Sequence, residues 1–185
     1  MNLHCDNCSR QNKNGYVLFY FLWRVMKGRH PEVTINFMPP GHTKFTPDRC
    51  FGLLKRCFRR AEVFCLNDLC DVVRESTPAA RVNIPKIVGR EDRTVIIPTY
   101  DWQAYLSPVF KPLPSIKKLS HFRFSAENNG EVFYKTSLAE EKSRVNLVKD
   151  RTAYANLCAM PETIPAPGLT HERQEYLFSH IVRGI

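Results

Sequence analysis

The chain has 185 residues, 43% of them hydrophobic and 11% aromatic, which suits one domain with a buried core and excludes a disordered chain. Its formal net charge of +9 favours an anionic partner, with nucleic acid the commonest, and its seven irregularly spaced cysteines do not form a disulfide framework. The polar start, Met1 to Arg10, does not read as a secretory leader, and the longest apolar stretch, Tyr16 to Met26, contains Arg24 and is too short to cross a bilayer. A nuclear or cytoplasmic protein with reduced thiols is expected, neither secreted nor bound to a membrane.

In chain order, Asn2 to Asn7 reads as a short strand with Asp6 at its tip. Ser9 to Gly15 is a polar turn rich in helix-start residues, and Tyr16 to Lys27 reads as a helix ending at Gly28. That helix is apolar on nearly every side, so it belongs inside a layered structure or under a partner. Val33 to Met38 alternates like a strand and stops at Pro39-Pro40-Gly41. Thr46-Pro47-Asp48 is a helix start, and the helix that follows places Phe51, Leu54 and Phe58 on one face with Lys55, Arg56, Arg59 and Arg60 on the others. A shorter helix, Asp68 to Glu75, is expected behind an Asn67 cap.

Strand, helix, strand, helix, helix predicts an α/β sheet with a right-handed crossover over residues 1–92. Residues 93–150 read as a β-rich extension packed on that core. Thr94 to Tyr100 is a strand interrupted by Pro98, and Leu119 to Ser125 pairs with Glu131 to Lys135 across Asn129-Gly130, a strong hairpin signal. Residues 151–185 read as a proline-rich connector, Pro161 to Pro167, and a last helix from about Thr170 to Val182.

The chemistry of greatest interest lies in Asp6 and Asp48. Each follows a predicted strand, and the two are 42 positions apart, with a helix, a strand and a loop between them, so both are expected at one edge of the sheet. Carboxylates converging from neighbouring strand ends are what a divalent-metal phosphoryl-transfer site requires, although Asp48 is also explained by the positive end of its helix. His42 and Thr43 fall in the loop before Asp48, where the histidine either assists such a site or bonds its own backbone. Zinc is not expected: Cys5-Asp6-Asn7-Cys8 is half a site, and Cys65 and Cys70 lack the companion spacing. Strand alternation sends Cys5 away from Asp6 and makes it a small core residue. The basic run Lys55, Arg56, Arg59 and Arg60 is either a solvated helix face or a track for a phosphate backbone. Trp102, Tyr105, Phe110, His121, Phe122 and Phe124 are read as core in the main, with base stacking the alternative.

Two runs, His4-Cys5-Asp6-Asn7-Cys8-Ser9-Arg10-Gln11-Asn12-Lys13-Asn14 and Gly41-His42-Thr43-Lys44-Phe45-Thr46-Pro47-Asp48-Arg49-Cys50-Phe51-Gly52, resemble a family of transposon-derived proteins of unknown function. Pro98-Thr99-Tyr100-Asp101-Trp102, His121-Phe122-Arg123-Phe124-Ser125 and Gly168-Leu169-Thr170-His171-Glu172-Arg173-Gln174 extend the resemblance in the same order. That family is similar to the Asp-Asp-Asp/Glu transposases. The resemblance implies a ribonuclease H-like transposase or integrase core with an added β-hairpin region and a C-terminal helix. It implies Asp6 and Asp48 as second and third acids of a triad binding Mg2+ or Mn2+, with His42 and Thr43 shaping the loop beside them. Arg10 departs from the glycine usual in that family's turn. The first acid is expected on a strand before residue 1, so the chain reads as an N-terminally truncated core, inactive alone, with DNA and other transposase subunits as partners. The alternative is a module that keeps the fold without the reaction and binds nucleic acid or protein.

Overall fold

The computed structural model describes residues 1–9, 11–39, 46–77, 82–90, 92, 94–157, 160–165 and 168–179. Among them it shows a mixed α/β architecture: β1 (Asn2–Cys5), α1 (Gly15–Met26), β2 (Glu32–Phe37), α2 (Thr46–Phe58), α3 (Leu66–Glu75), β3 (Thr99–Tyr100), α4 (Trp102–Leu106), β4 (His121–Ser125), β5 (Glu131–Lys135), β6 (Ser143–Asn146), α5 (Arg151–Ala155), β7 (Thr163–Ile164) and α6 (His171–Leu177). A mixed five-stranded sheet runs in the order β1-β2-β4-β5-β6. β1 and β2 are parallel, joined through α1, and the remaining neighbours are antiparallel.

β2 and β4 pair in the register Val33↔Phe124 and Ile35↔Phe122, all four side chains buried. They share one core with Leu18, Leu22, Trp23 and Val25 of α1 and with Val132 of β5. Fully burying a side chain of this size is worth roughly 1.5–3 kcal/mol, so this layer dominates the stability of the fold. The predicted all-round apolarity of α1 has a local cause. Its second side meets α4, where the Trp102 ring lies 4.7 Å from Tyr20 and 5.1 Å from Trp23 between centroids. Asn14 caps α1 by accepting the Val17 N–H at 3.1 Å.

Three local expectations are corrected. Only Thr99–Tyr100 of the Thr94–Tyr100 run is a strand, and it pairs with β7 rather than with the main sheet. Val95, Ile96 and Ile97 are exposed, so their β-branched character reflects an edge segment held by a single bridge, Gly89↔Val95. Asn67 is not the cap of α3: the helix starts two residues earlier than expected, at Leu66 behind Cys65, and the Asp68 carboxylate accepts the N–H groups of Phe64 and Cys65 at 2.9 and 3.0 Å. The packed side of α2 is not Phe51, Leu54 and Phe58 together. Phe51 and Phe58 are exposed, whereas Cys50, Leu53, Leu54 and Cys57 are half-buried. These positions fall at i, i+3, i+4 and i+7, and α2 packs on α3.

The hairpin joins β4 to β5 with Gly130 at φ +90°, where an added Cβ would lie 2.6 Å from Val148 Cγ2. Gly130→Ala is therefore strained in its backbone and in its contacts at once. It should destabilise the fold by more than about 1 kcal/mol, read as a lower urea midpoint with an unchanged slope.

Candidate functional site

β1 and β2 run side by side, so their carboxyl ends open at one edge of the sheet, the usual place for a site in an α/β unit. Asp6 immediately follows β1. Its Oδ1 accepts the Cys8 N–H at 3.3 Å and the Asn12 amide Nδ2 at 2.6 Å. The turn beyond it is tight, because the Cys8 carbonyl accepts from the N–H groups of Gln11, Asn12 and Lys13. Asn12, Lys13 and Asn14 are thus delivered together to the foot of α1. Cys5 packs against the core, and burial, with the Asp6 charge adding, pushes its thiol pKa up, so it stays protonated.

Lys13 was not singled out by the sequence. It is only 2% exposed, and its ammonium donates to Asn7 Oδ1 and to the Lys117 carbonyl, both at 2.8 Å, with the Phe37 ring centroid 5.3 Å away. A buried cation is tolerated when acceptors compensate it, and these acceptors tie the turn after β1 to the 3-10 turn before β4. Burial lowers the pKa of Lys13.

Asp48 lies in the first turn of α2, beyond the carboxyl end of β2. His42 and Thr43 lie outside the described residues. Lys55, Arg56, Arg59 and Arg60 are all exposed, on and just after a helix with no fully buried residue. The hydrogen bonds of Asn83 to the Cys50 carbonyl and the Ser76 hydroxyl, at 3.1 and 2.8 Å, hold the segment after α3 against α2. Among the described residues, no three His, Cys, Asp or Glu side chains group to hold a metal ion.

The second face of the sheet carries polar side chains in cross-strand rows. One row is Asn2↔Thr34↔Arg123↔Phe133↔Arg144 and the next is His4↔Asn36↔His121↔Lys135. Asn2 Oδ1 accepts from Thr34 Oγ1 and Asn36 Nδ2, both at 2.9 Å, and Asn36 Oδ1 lies 2.9 Å from His121 Nδ1. An amide oxygen only accepts, so the His121 proton is on Nδ1 and Nε2 is an acceptor. Burial, and then the Lys135 charge, lowers the pKa of His121 and keeps it neutral at pH 7. Phe122, Phe124 and Phe110 are buried, and Trp102 and Tyr105 pack on the core, so of the six aromatic and histidine side chains weighed for stacking only His121 faces this surface. The missed aromatic is Phe133. Its signal was the alternation Glu131, Phe133, Lys135, which puts an apolar ring on the polar face of its strand.

A family model for a domain of unknown function, DUF7869, matches residues 1–141. The chain belongs to the DUF7869 family. No curated protein and no solved structure matches it. The region shared with DUF7869 includes the turn after β1, all of α2 and α3, and the sheet as far as β5. No helix among the described residues of this DUF7869 chain is long and apolar enough to cross a membrane.

Replacing Lys13 by Met would leave the Lys117 carbonyl and the Asn7 amide without their donor. We expect a loss of about 1–3 kcal/mol near neutral pH. The pH dependence has a definite sign. A folded-state pKa below the ordinary 10.5 means that the unfolded chain binds more protons in the interval between the two values. Stability through Lys13 therefore rises with pH across that interval and is flat below the lowered pKa, where both states are protonated. Urea titrations at alkaline pH should show this rise in the wild type and not in Lys13→Met.

Proposed function

We propose that this chain is a polynucleotide-binding module, with DNA as its partner, descended from a transposase core of ribonuclease H-like fold. The observation that carries binding is α2 and the turn after it, which present Lys55, Arg56, Arg59 and Arg60 to solvent in a chain of net charge +9. Four exposed cations within six positions supply charge for a phosphate backbone and release counterions on binding. The transposase descent is supported by the β1-α1-β2 unit, which sends Asp6 and then Asp48 beyond the carboxyl ends of parallel strands.

The donor set does not fit a two-metal site. Oδ1 of Asp6 is already taken by two hydrogen bonds, and the described residues supply no converging third acid. We therefore derive no strand-transfer step and assign this chain to binding alone, with Mg2+ or Mn2+ part of its ancestry. Any assembly with other transposase subunits belongs to that same descent.

Two measurements test the reading. Duplex DNA should bind with a steep salt dependence, and replacing Lys55, Arg56, Arg59 and Arg60 by alanine should flatten the slope of log K against log salt by about 3 to 4. A slope unchanged by the four replacements would remove α2 from the interface. Incubation of supercoiled plasmid with Mg2+ or Mn2+ should give no nicking by the wild-type chain. Nicking that disappears in Asp6→Asn would establish an active metal site instead.

A further inference from the structure

We infer that the polar face of the sheet is a platform for single-stranded nucleic acid, with Phe133 as its stacking residue and Lys135 and Lys142 as its phosphate contacts. The inference rests on the polynucleotide reading above but assigns a different surface and a narrower ligand.

Phe133 breaks the polar alternation of that face. It is flanked in register by Arg123 and Arg144, and the Arg123 guanidinium lies over its ring at 6.0 Å from the centroid. Arg123 Nε donates to Glu32 Oε2 at 2.7 Å, so the guanidinium is fixed beside the ring rather than free to swing out. A partly exposed ring beside a held guanidinium is a pairing of groups that stacks with planar bases. The depression there, about 120 Å³, is lined by Phe133, Asn36, His121, Lys135 and Lys142. His121, held by Asn36 through Nδ1, is part of that lining.

A second cleft of about 540 Å³ continues from the first and shares Asn36 and His121 with it, its other polar lining coming from His4, Ser120, Thr136 and Ser137. Charge is divided along this surface. Glu32 and Glu131 lie at the end away from Asp6 and are engaged by Arg123 and Arg144. Lys135 and Lys142 lie at the opposite end, and Lys117 and Lys118 are exposed on the 3-10 turn that leads into β4. An aromatic ring with cations to one side suits a base followed by its phosphate. A duplex hides its base faces in the stack and could use only the cations, which is why the ligand is single-stranded.

The test is fluorescence anisotropy with a labelled thymidine homopolymer and with a labelled duplex, each titrated with the full chain. Phe133→Ala should weaken single-strand binding about tenfold or more and leave duplex affinity within about twofold, while Phe133→Trp restores the single strand. Replacing Lys135 and Lys142 by alanine should reduce the single-strand salt slope by about 1.4. Circular dichroism and thermal melting verify that each variant is folded, and the Trp variant keeps the test decisive if Ala unfolds. Wild-type single-strand affinity in folded Phe133→Ala, an equal loss on duplex, or displacement by polyglutamate as effective as by unlabelled homopolymer would each overturn the inference. If only the α2 variants lose binding, this platform fails and the α2 reading stands. If only the sheet variants do, the α2 reading fails and the platform stands. A wild-type chain that binds neither probe overturns both.

Discussion

When Val33 pairs with Phe124 and Ile35 with Phe122, two stretches about ninety positions apart become neighbours in one sheet, and the two faces of that sheet take on different work. On one face the paired residues bury against α1. On the other, the alternate positions Thr34, Asn36, His121 and Arg123 come into rows they could not form within either strand alone. A slip of one residue in this register would send Phe122 and Phe124 into water and Arg123 into the core. The buried side therefore fixes the pairing, and the exposed side inherits its geometry from it.

Lys13 extends the same coupling to the edge of the sheet. The long-range contact it makes is to the Lys117 carbonyl, just before β4, and its local one is to Asn7, just after β1. The turn that presents Asp6 is thus anchored to the segment that starts the antiparallel half of the sheet. Removing that cation would loosen the position of Asp6 as well as expose an unpaired carbonyl, because the Asp6–Asn12 hydrogen bond depends on the same turn.

Much of the skeleton was legible from periodicity. α1, β2 and the β4–β5 hairpin followed from apolar spacing and from Asn129-Gly130, with ends within two residues or so of those observed. Thr94 to Ile97 misled because β-branched residues favour a strand only where a neighbour offers a ladder, and here the neighbour is a single bridge. Phe51 and Phe58 misled because, with Leu54, they too recur at helical spacing: the stripe that half-buries α2 is the neighbouring one of Cys50, Leu53, Leu54 and Cys57. The candidate site was legible only as positions near strand ends. Nothing in a polar run such as Gln11 to Asn14 says that its lysine turns inward, since that depends on acceptors more than a hundred residues away.

The turn after β1 also bears on whether Asp6 is available to a metal ion. A carboxylate that shares a divalent ion must keep lone pairs directed at it. In this chain one oxygen of Asp6 accepts a backbone N–H and a side-chain amide, and the amide contact, at 2.6 Å, is a strong one. Those bonds make the carboxylate part of the architecture of the turn, so Asp6 has a structural reason to persist without any reaction. The presence of that acid is then weak evidence for metal chemistry, whereas the exposed cations on α2 lie on a helix with no fully buried residue. Side chains that leave stability unimproved are where the working surface of this protein is best sought.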